Sequence, residues 1–187
     1  MKHEPLFRGS AVALVTPLRG GKVDVEALHR LVEMHVDNGT AAIVACGTTG
    51  EPATLTPDER ELVIREVVAA ARGRVPVICG TGSNVPGRTG LDIAPETIDR
   101  LAESGRFVAL KESSYDLPRV MEKISAMRGR LTLYSGNDDM IYPLLALGAE
   151  GVISVLANVA PAYVSGMTGA YFSGKTEKAL TMQTECL

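Results

Sequence analysis

The chain of 187 residues has no tryptophan, and Phe, Tyr and Trp together make up only 4% of it. So few aromatic side chains leave little on which nucleic-acid bases could stack. Positive and negative charges are mixed along the chain, the formal net charge is −3, and no block of Lys or Arg occurs. This composition argues against a protein that binds nucleic acid or an anionic membrane surface.

Cysteines and long apolar runs are also scarce. Cys46, Cys79 and Cys186 are the three cysteines, and their spacing is irregular, which argues against a disulfide framework and against a zinc site. No apolar run approaches the roughly 20 residues that cross a bilayer, and residues 1–5 lack the apolar segment of a signal peptide. We therefore expect a cytoplasmic protein without bound metal and without membrane contact.

Short apolar runs alternate with helix-like segments along most of the chain. Asp24 is a predicted N-cap, and Thr56 with Glu59 has the spacing of a capping box. Repeated strand–helix alternation predicts a parallel α/β sheet, either closed as a barrel or open and doubly wound. Between Asn84 and Ala94 the alternation fails, and no glycine-rich dinucleotide motif or P-loop is present. Six runs are predicted strands: 11–15, 41–46, 75–79, 107–110, 131–134 and 151–155.

One apolar run leads directly into a lysine. Phe107-Val108-Ala109-Leu110 precedes Lys111, and the uninterrupted run predicts a strand that is covered on both faces. The carboxyl ends of parallel strands carry the sites of α/β proteins, and desolvation there lowers a lysine pKa. An amine that is partly neutral can attack a carbonyl carbon and form a Schiff base. The alternative is that Lys111 extends from the strand end into solvent.

Polar, glycine-rich segments follow three other predicted strands. In a barrel these segments would meet Lys111 at one mouth, and together they would suit a 2-keto acid. Lys111 would attack the ketone, while hydroxyls and backbone amides at Thr48 and Thr49 would hold the carboxylate. Alternatively, Thr48 and Thr49 only cap a loop, and Asp138 and Asp139 cap a helix rather than bind a metal. The segments are Gly47–Glu51, Gly80–Gly82 and Ser135–Asp138.

Five motifs, taken in order, resemble those of the dihydrodipicolinate synthase family, part of the pyruvate-dependent class I aldolase and lyase superfamily. The segment 47–55 resembles the family's substrate-carboxylate loop, and 110–113 resembles its Schiff-base strand. Asn84-Val85-Pro86-Gly87-Arg88-Thr89-Gly90 resembles an Asn-Val-Pro-x-Arg-Thr-Gly segment. The segments 135–138 and 151–159 resemble the last two barrel strands. The double Thr at 48 and 49 favours the synthase over sialic acid lyase relatives, which usually carry Ser-Thr.

The resemblance implies a (β/α)8 TIM barrel that condenses pyruvate with aspartate semialdehyde in lysine and diaminopimelate biosynthesis. It implies a carbon–oxygen lyase without metal or organic cofactor, which assembles as a homodimer or homotetramer. Its partners would be small keto-acid and aldehyde substrates. The residues that the resemblance assigns are Lys111 for the Schiff base, Thr48 and Thr49 for the carboxylate and proton relay, Gly47 in the same loop, and Gly136 and Ile153 as backbone lining of the pyruvate pocket. Arg88 either holds a loop or meets a carboxylate.

Two departures from the family pattern matter. About two internal strand–helix units are missing near Asn84, together with a Tyr-Tyr-Asn-Arg-Pro motif that supplies a proton-relay tyrosine and a substrate-binding arginine. A tyrosine contributed across the family's tight-dimer interface is also missing, and the family's C-terminal helical domain does not follow Leu187. We therefore expect a single partial barrel domain over residues 1–187, with a gap or deletion at about residue 84.

Three explanations of the departure at Asn84 are open. The protein is a longer chain with further residues at that point, it carries a true internal deletion, or it is the product of a truncated gene. The first is favoured because a chain that lacks two adjacent barrel strands would be hard to keep soluble. Two alternative functions also stay open. The chain is another 2-keto-acid aldolase, such as a sialic acid lyase relative, or an inactive truncated family member that only binds keto acids or partner subunits.

Overall fold

Parallel strands alternate with helices in this computed structural model, which describes residues 4–81 and 92–186. In this part of the chain the strands are β1 (Gly9–Ala13), β2 (Leu18–Arg19), β3 (Lys22–Val23), β4 (Ala42–Ala45), β5 (Val77–Cys79), β6 (Ala109–Glu112), β7 (Thr132–Ser135) and β8 (Gly151–Ser154). The α-helices are α1 (Val25–Asp37), α2 (Pro57–Ala71), α3 (Pro95–Glu103), α4 (Leu117–Met127), α5 (Ile141–Ala146), α6 (Pro161–Phe172) and α7 (Thr176–Glu185).

The chain divides into two compact units. The Thr48 unit comprises residues 9–81 and 154–166, and the Lys111 unit comprises residues 4–8, 92–153 and 167–186. All six predicted strands are present, with bounds shifted by a few residues. The β2–β3 hairpin, formed around Gly20 and Gly21, was not predicted; both glycines have a positive φ (57° and 76°), which lets the chain reverse within two residues.

The Thr48 unit is built on three parallel strands. These strands lie side by side in the order β5–β4–β1, with Val12 opposite Ile43 and Ile43 opposite Val77. Helices α1 and α2 pack against each other and bury Leu28 and Val63. The sheet brings the carboxyl ends of β4 and β5 to the same edge, and the polar segments that begin at Gly47 and Gly80 follow these two ends.

Both predicted helix starts of the Thr48 unit are confirmed. Asp24 accepts a hydrogen bond from the backbone N–H of Ala27 at 2.9 Å, at the start of α1. At the start of α2, Thr56 accepts from Glu59 N at 3.3 Å, and the Glu59 carboxylate accepts from Thr56 N at 2.9 Å. These bonds satisfy backbone donors that the first turn of a helix leaves without partners.

His35 is a buried histidine in the last turn of α1. His35 has no exposed surface, and its Nδ1 lies 3.2 Å from Thr40 Oγ1. Its Nε2 has no hydrogen-bond partner among the described residues. Because burial penalises the imidazolium form, the pKa of His35 is lowered from 6.5 to about 4. The side chain is therefore neutral in the folded protein at neutral pH.

We expect the free energy of unfolding to fall as the pH is lowered from 6.5 towards 4. In this window the unfolded chain binds a proton at His35 that the folded chain does not bind, so acid favours unfolding. The contribution is roughly 2–3 kcal/mol between pH 7 and pH 4.5. Urea unfolding at several pH values, with His35→Leu as the comparison, measures it. The two proteins should differ in slope over this window, and equal slopes would contradict the assignment.

The Lys111 unit contains three further parallel strands, in the order β8–β7–β6. Lys111 lies opposite Tyr134, and Ser135 lies opposite Val152. The Tyr134 hydroxyl donates to Phe7 O at 2.7 Å and accepts from Phe7 N at 3.1 Å, so it ties residues 4–8 to β7. Helices α3 and α4 pack against each other beside the sheet. This arrangement places the ends of β6, β7 and β8 next to one another.

Three sequence-based details are wrong in this unit. The Lys111 strand is not covered on both faces: Phe107 is 48% and Val108 44% exposed, and the strand begins only at Ala109. The reason is that β6 pairs only with β7 among the described residues, so it forms a sheet edge. Nor do Asp138 and Asp139 cap α5. They lie in a short 3₁₀ turn, and α5 begins after Met140 without a side-chain capping bond.

Candidate active site

Lys111 is the third residue of β6, one position before the strand ends. The residue as a whole is exposed, but the groups packed around its amine desolvate the ammonium form. This desolvation lowers the pKa of Lys111 below the ordinary value of 10.5, and the Asp138 carboxylate acts in the opposite direction. Compared with an ordinary surface lysine, a larger fraction of Lys111 is neutral and able to act as a nucleophile.

Gly136 lies against the Lys111 side chain. Its backbone N–H donates to Glu112 O at 2.7 Å, which joins the end of β7 to the end of β6. A Cβ atom on Gly136 would lie 2.7 Å from Lys111 Cε and closer still to Ser113 Oγ. A side chain at position 136 would force the Lys111 and Ser113 side chains to move. The structure thus brings Lys111 and Gly136 together, and half-buried Ile153 lies on β8, the strand beside β7.

The segment after β4 folds into a tight turn. Thr48–Gly50 forms one turn of 3₁₀ helix, closed by a hydrogen bond from Gly50 N to Gly47 O at 2.9 Å. Thr16 Oγ1 donates to Gly50 O at 2.8 Å and anchors the turn. A Cβ atom at position 50 would lie 2.9 Å from the backbone oxygen of Leu14, so the close approach of the chain just after β1 favours glycine.

The hydroxyls of this turn are available to a ligand. Thr48 is exposed and Thr49 is half-buried, and neither hydroxyl forms a hydrogen bond within the described part of the Thr48 unit. The turn is closed by backbone hydrogen bonds, so capping does not explain why threonine occurs at positions 48 and 49. Hydroxyl and amide donors exposed on a glycine-containing turn are suited to a carboxylate.

The remaining sequence-predicted groups are distributed as follows. Gly47, Thr48 and Thr49 lie together in the Thr48 unit, whereas Lys111, Gly136 and Ile153 lie in the Lys111 unit. Arg88 lies outside the described residues. Among residues 4–81 and 92–186, no group of three or more His, Cys, Asp or Glu side chains is placed to hold a metal ion. In the same ranges, no helix combines the length and apolar character that a bilayer crossing requires.

Sequence reasoning missed one buried residue near Lys111. Lys123 of α4 is only 3% exposed, and its Nζ lies 2.8 Å from a carboxylate oxygen of Glu112. The available signal was its position on the apolar face of α4, three residues after Val120 and four before Met127. A charged residue in such a stripe indicates either a buried partner or a helix edge, and the sequence does not say which.

The sequence model of the dihydrodipicolinate synthetase family matches residues 6–85 and 83–187. The chain belongs to this family. The two matched segments overlap at residues 83–85, which include Asn84, where the family pattern is interrupted. Family membership confirms the resemblance that the five motifs carry.

Individual relatives agree with this assignment. A 4-hydroxy-tetrahydrodipicolinate synthase of Geotalea uraniireducens is 38% identical over 228 aligned residues, covering 93% of this chain and 79% of the relative. Another from Clostridium tetani is 37% identical, covering 97% of this chain and 81% of the relative. The first alignment is longer than the 187 residues of this chain, so the relative contains residues without a counterpart here.

Solved structures of the family have the same fold. Dihydrodipicolinate synthase from Aquifex aeolicus has a TM-score of 0.90 at 35% identity, over 96% of this chain and 80% of that one. The enzyme from Acinetobacter baumannii, complexed with pyruvate, has a TM-score of 0.88 at 34% identity, over 95% and 80%. A variant described as the first monomeric dihydrodipicolinate synthase scores 0.90 at 30% identity, over 96% and 79%. The predicted α/β fold of TIM-barrel type is therefore confirmed.

Proposed function

We propose that this chain is a Schiff-base lyase that condenses pyruvate with aspartate semialdehyde, in the biosynthesis of diaminopimelate and lysine. The observation that carries the proposal is Lys111, a lysine of lowered pKa at the end of a parallel strand and in contact with Gly136. It occurs in a chain of the dihydrodipicolinate synthetase family, of which a solved member is described in complex with pyruvate. The reaction needs neither a metal nor an organic cofactor.

The chemistry starts from the neutral amine of Lys111. Its nitrogen attacks the ketone carbon of pyruvate, and loss of one water gives an imine between Lys111 and the keto acid. The protonated imine withdraws electrons from the neighbouring methyl carbon, which then releases a proton and becomes a nucleophile. That carbon adds to the aldehyde carbon of the second substrate and forms the new carbon–carbon bond. The amino group of the second substrate then attacks the imine carbon, which closes a ring, breaks the bond to the lysine nitrogen and frees the amine of Lys111. Proton transfers accompany each step, and we assign their relay to Thr48.

The other residues are assigned binding roles in this proposal. Thr49 and the backbone of Gly47 bind the keto-acid carboxylate, a role supported by the Thr48 and Thr49 hydroxyls, which make no hydrogen bond within the described part of their unit. The backbones of Gly136 and Ile153 line the pyruvate pocket. Arg88 either meets a substrate carboxylate or holds its own segment. We further propose a cytoplasmic protein that assembles as a homodimer or homotetramer, which light scattering on the purified protein tests.

Borohydride reduction in the presence of pyruvate tests the proposed chemistry. Borohydride reduces an imine to a stable secondary amine, so the intact mass should rise by one reduced three-carbon adduct. Peptide mapping should place the adduct on Lys111, and a sample without pyruvate should remain unmodified. An unmodified Lys111 peptide after treatment with saturating pyruvate would overturn the proposal. A panel of aldehyde acceptors then distinguishes the synthase from another 2-keto-acid aldolase.

The match to the family in two segments favours one second candidate. Relatives contain aligned residues that this chain lacks, so the chain could bind pyruvate covalently without completing a reaction. This inactive family member would form the borohydride adduct and show no turnover. Turnover by a preparation whose intact mass equals that of the 187-residue chain would rule this candidate out.

A further inference from the structure

Lys123 forms a buried ion pair with the residue that follows Lys111. Its Nζ donates to Glu112 Oε2 at 2.8 Å, and the two side chains are 4% and 6% exposed. Removing two charges from water is unfavourable, and their attraction compensates for it only where geometry and further hydrogen bonds are good. The burial of this ion pair is therefore weak evidence that it stabilises the fold. Glu112 directly follows Lys111 in the sequence, which indicates that the pair serves the reacting amine.

Glu112 connects three parts of the Lys111 unit: the turn after β6, the end of β7 and helix α4. Its Oε1 accepts a hydrogen bond from Ser114 N at 2.7 Å, which holds the turn after β6. Its backbone oxygen accepts from Gly136 N at 2.7 Å, at the end of β7. Its Oε2 reaches Lys123 on α4. The carboxyl end of β6 is thus fixed to a helix, to its own turn and to the neighbouring strand.

Lys123 has two carboxylate partners, and within the part of the chain that the structure describes only Asp92 also pairs with a second cation. Asp92 accepts from Lys123 Nζ at 2.5 Å and also from Arg119 Nε at 3.1 Å. Among the described residues, Lys123 is the only cation paired with Glu112. Burial by itself would lower the pKa of Lys123, but the bonds and charges of Asp92 and Glu112 raise it, so Lys123 stays charged. Loss of its charge would leave Glu112 buried and unpaired.

We propose that Lys123 is a positioning residue for Lys111: by pairing with Glu112 it fixes the end of β6 and hence the place of the reacting amine. Consecutive residues of a strand point to opposite faces, so Lys123 acts through Glu112 and the strand, not by touching the substrate. The inference rests on the proposed function, because that proposal assigns the reacting amine to Lys111.

The test compares rates of borohydride trapping at saturating pyruvate, expressed per folded molecule. Lys123→Met should lower this rate by at least about tenfold, because a small displacement of a reacting atom has a large effect on rate. The pyruvate concentration for half-maximal rate and the pH midpoint of the rate should change little, since Lys123 neither binds pyruvate nor shares the Lys111 proton. Lys123→Arg, which retains the charge, should restore the rate to within about threefold of the original.

A stability control separates positioning from a structural role. Ile98→Val removes one buried methyl group from α3 and should weaken folding while leaving the trapping rate per folded molecule unchanged. If Lys123→Met does not fold, Glu112→Gln is measured instead, and its rate should fall at least about threefold. A rate equal to the original in the folded variant overturns the inference. The absence of an adduct in the original protein overturns the proposed function instead.

Discussion

Replacing Lys111 by Met should abolish the borohydride-trapped pyruvate adduct and lower turnover by at least about a thousandfold. The thioether side chain has a similar length but no amine, so no imine can form. Lys111→Arg should be equally inactive, because a guanidinium stays protonated at any working pH. Intact mass after reduction measures the adduct, and a coupled assay with pyruvate and aspartate semialdehyde measures turnover.

Lys178→Met is the matched control for this substitution. Lys178 is exposed on α7, so the variant loses the same charge without touching the site, and its adduct yield should equal that of the original. The pH dependence adds a second readout. The neutral fraction of Lys111 grows as the pH rises through its pKa, so trapping should accelerate with a midpoint below 10.5. An adduct that persists in Lys111→Met would show that another lysine carries the chemistry.

Gly136→Ala should lower the rate of adduct formation by about a hundredfold, the second largest effect that we expect. The new methyl group would lie 2.7 Å from Lys111 Cε and 3.1 Å from the backbone oxygen of Glu112. The Ser113 hydroxyl would lie closer still; this side chain and the lysine side chain are flexible and the backbone is not, so both side chains move away. The loss should therefore appear in the reaction rate much more than in the free energy of unfolding.

Gly169→Ala provides the comparison for that substitution. Gly169 lies in α6, and a methyl group there would meet no atom of the described residues within 4 Å, apart from the backbone of its own helix. Alanine favours a helix over glycine by about 1 kcal/mol, so this variant should be slightly more stable and react normally. Stopped-flow trapping and urea unfolding measure the two quantities. If Gly136→Ala reacts at the original rate, the pocket is wider than the Gly136–Lys111 contact indicates.

Much of the fold follows from local signals in the sequence. Apolar runs of four to six residues, each followed by a helix start, predict β1 and β4 to β8. The side chains of Asp24 and Thr56 each cap a helix by accepting a hydrogen bond from the backbone N–H three residues later, and the structure contains both caps as predicted. Lys111 and Gly136 are predicted site residues because they follow such apolar runs in recognisable motifs. These features depend on neighbours in the sequence, which is why sequence reasoning reaches them.

The errors concern properties that depend on distant residues. Whether Phe107 and Val108 are buried depends on which strand lies beside β6, and the apolar run carries no information about that neighbour. Whether Lys123 is a surface lysine or half of a buried pair depends on Glu112, eleven residues away and on another element. Periodicity identifies the face of a helix, but only the tertiary structure determines what that face meets.

The effect of Asp138 on Lys111 predicts how ionic strength influences the reaction. Desolvation lowers the lysine pKa and is insensitive to dissolved salt, whereas attraction to the carboxylate raises it and is screened by counterions. Added salt therefore weakens the attraction to Asp138, which keeps the amine protonated, and leaves the desolvation of the ammonium unchanged. At a fixed pH near neutrality, imine formation should become modestly faster as the salt concentration rises, the opposite of what a site that attracts pyruvate mainly by charge would show.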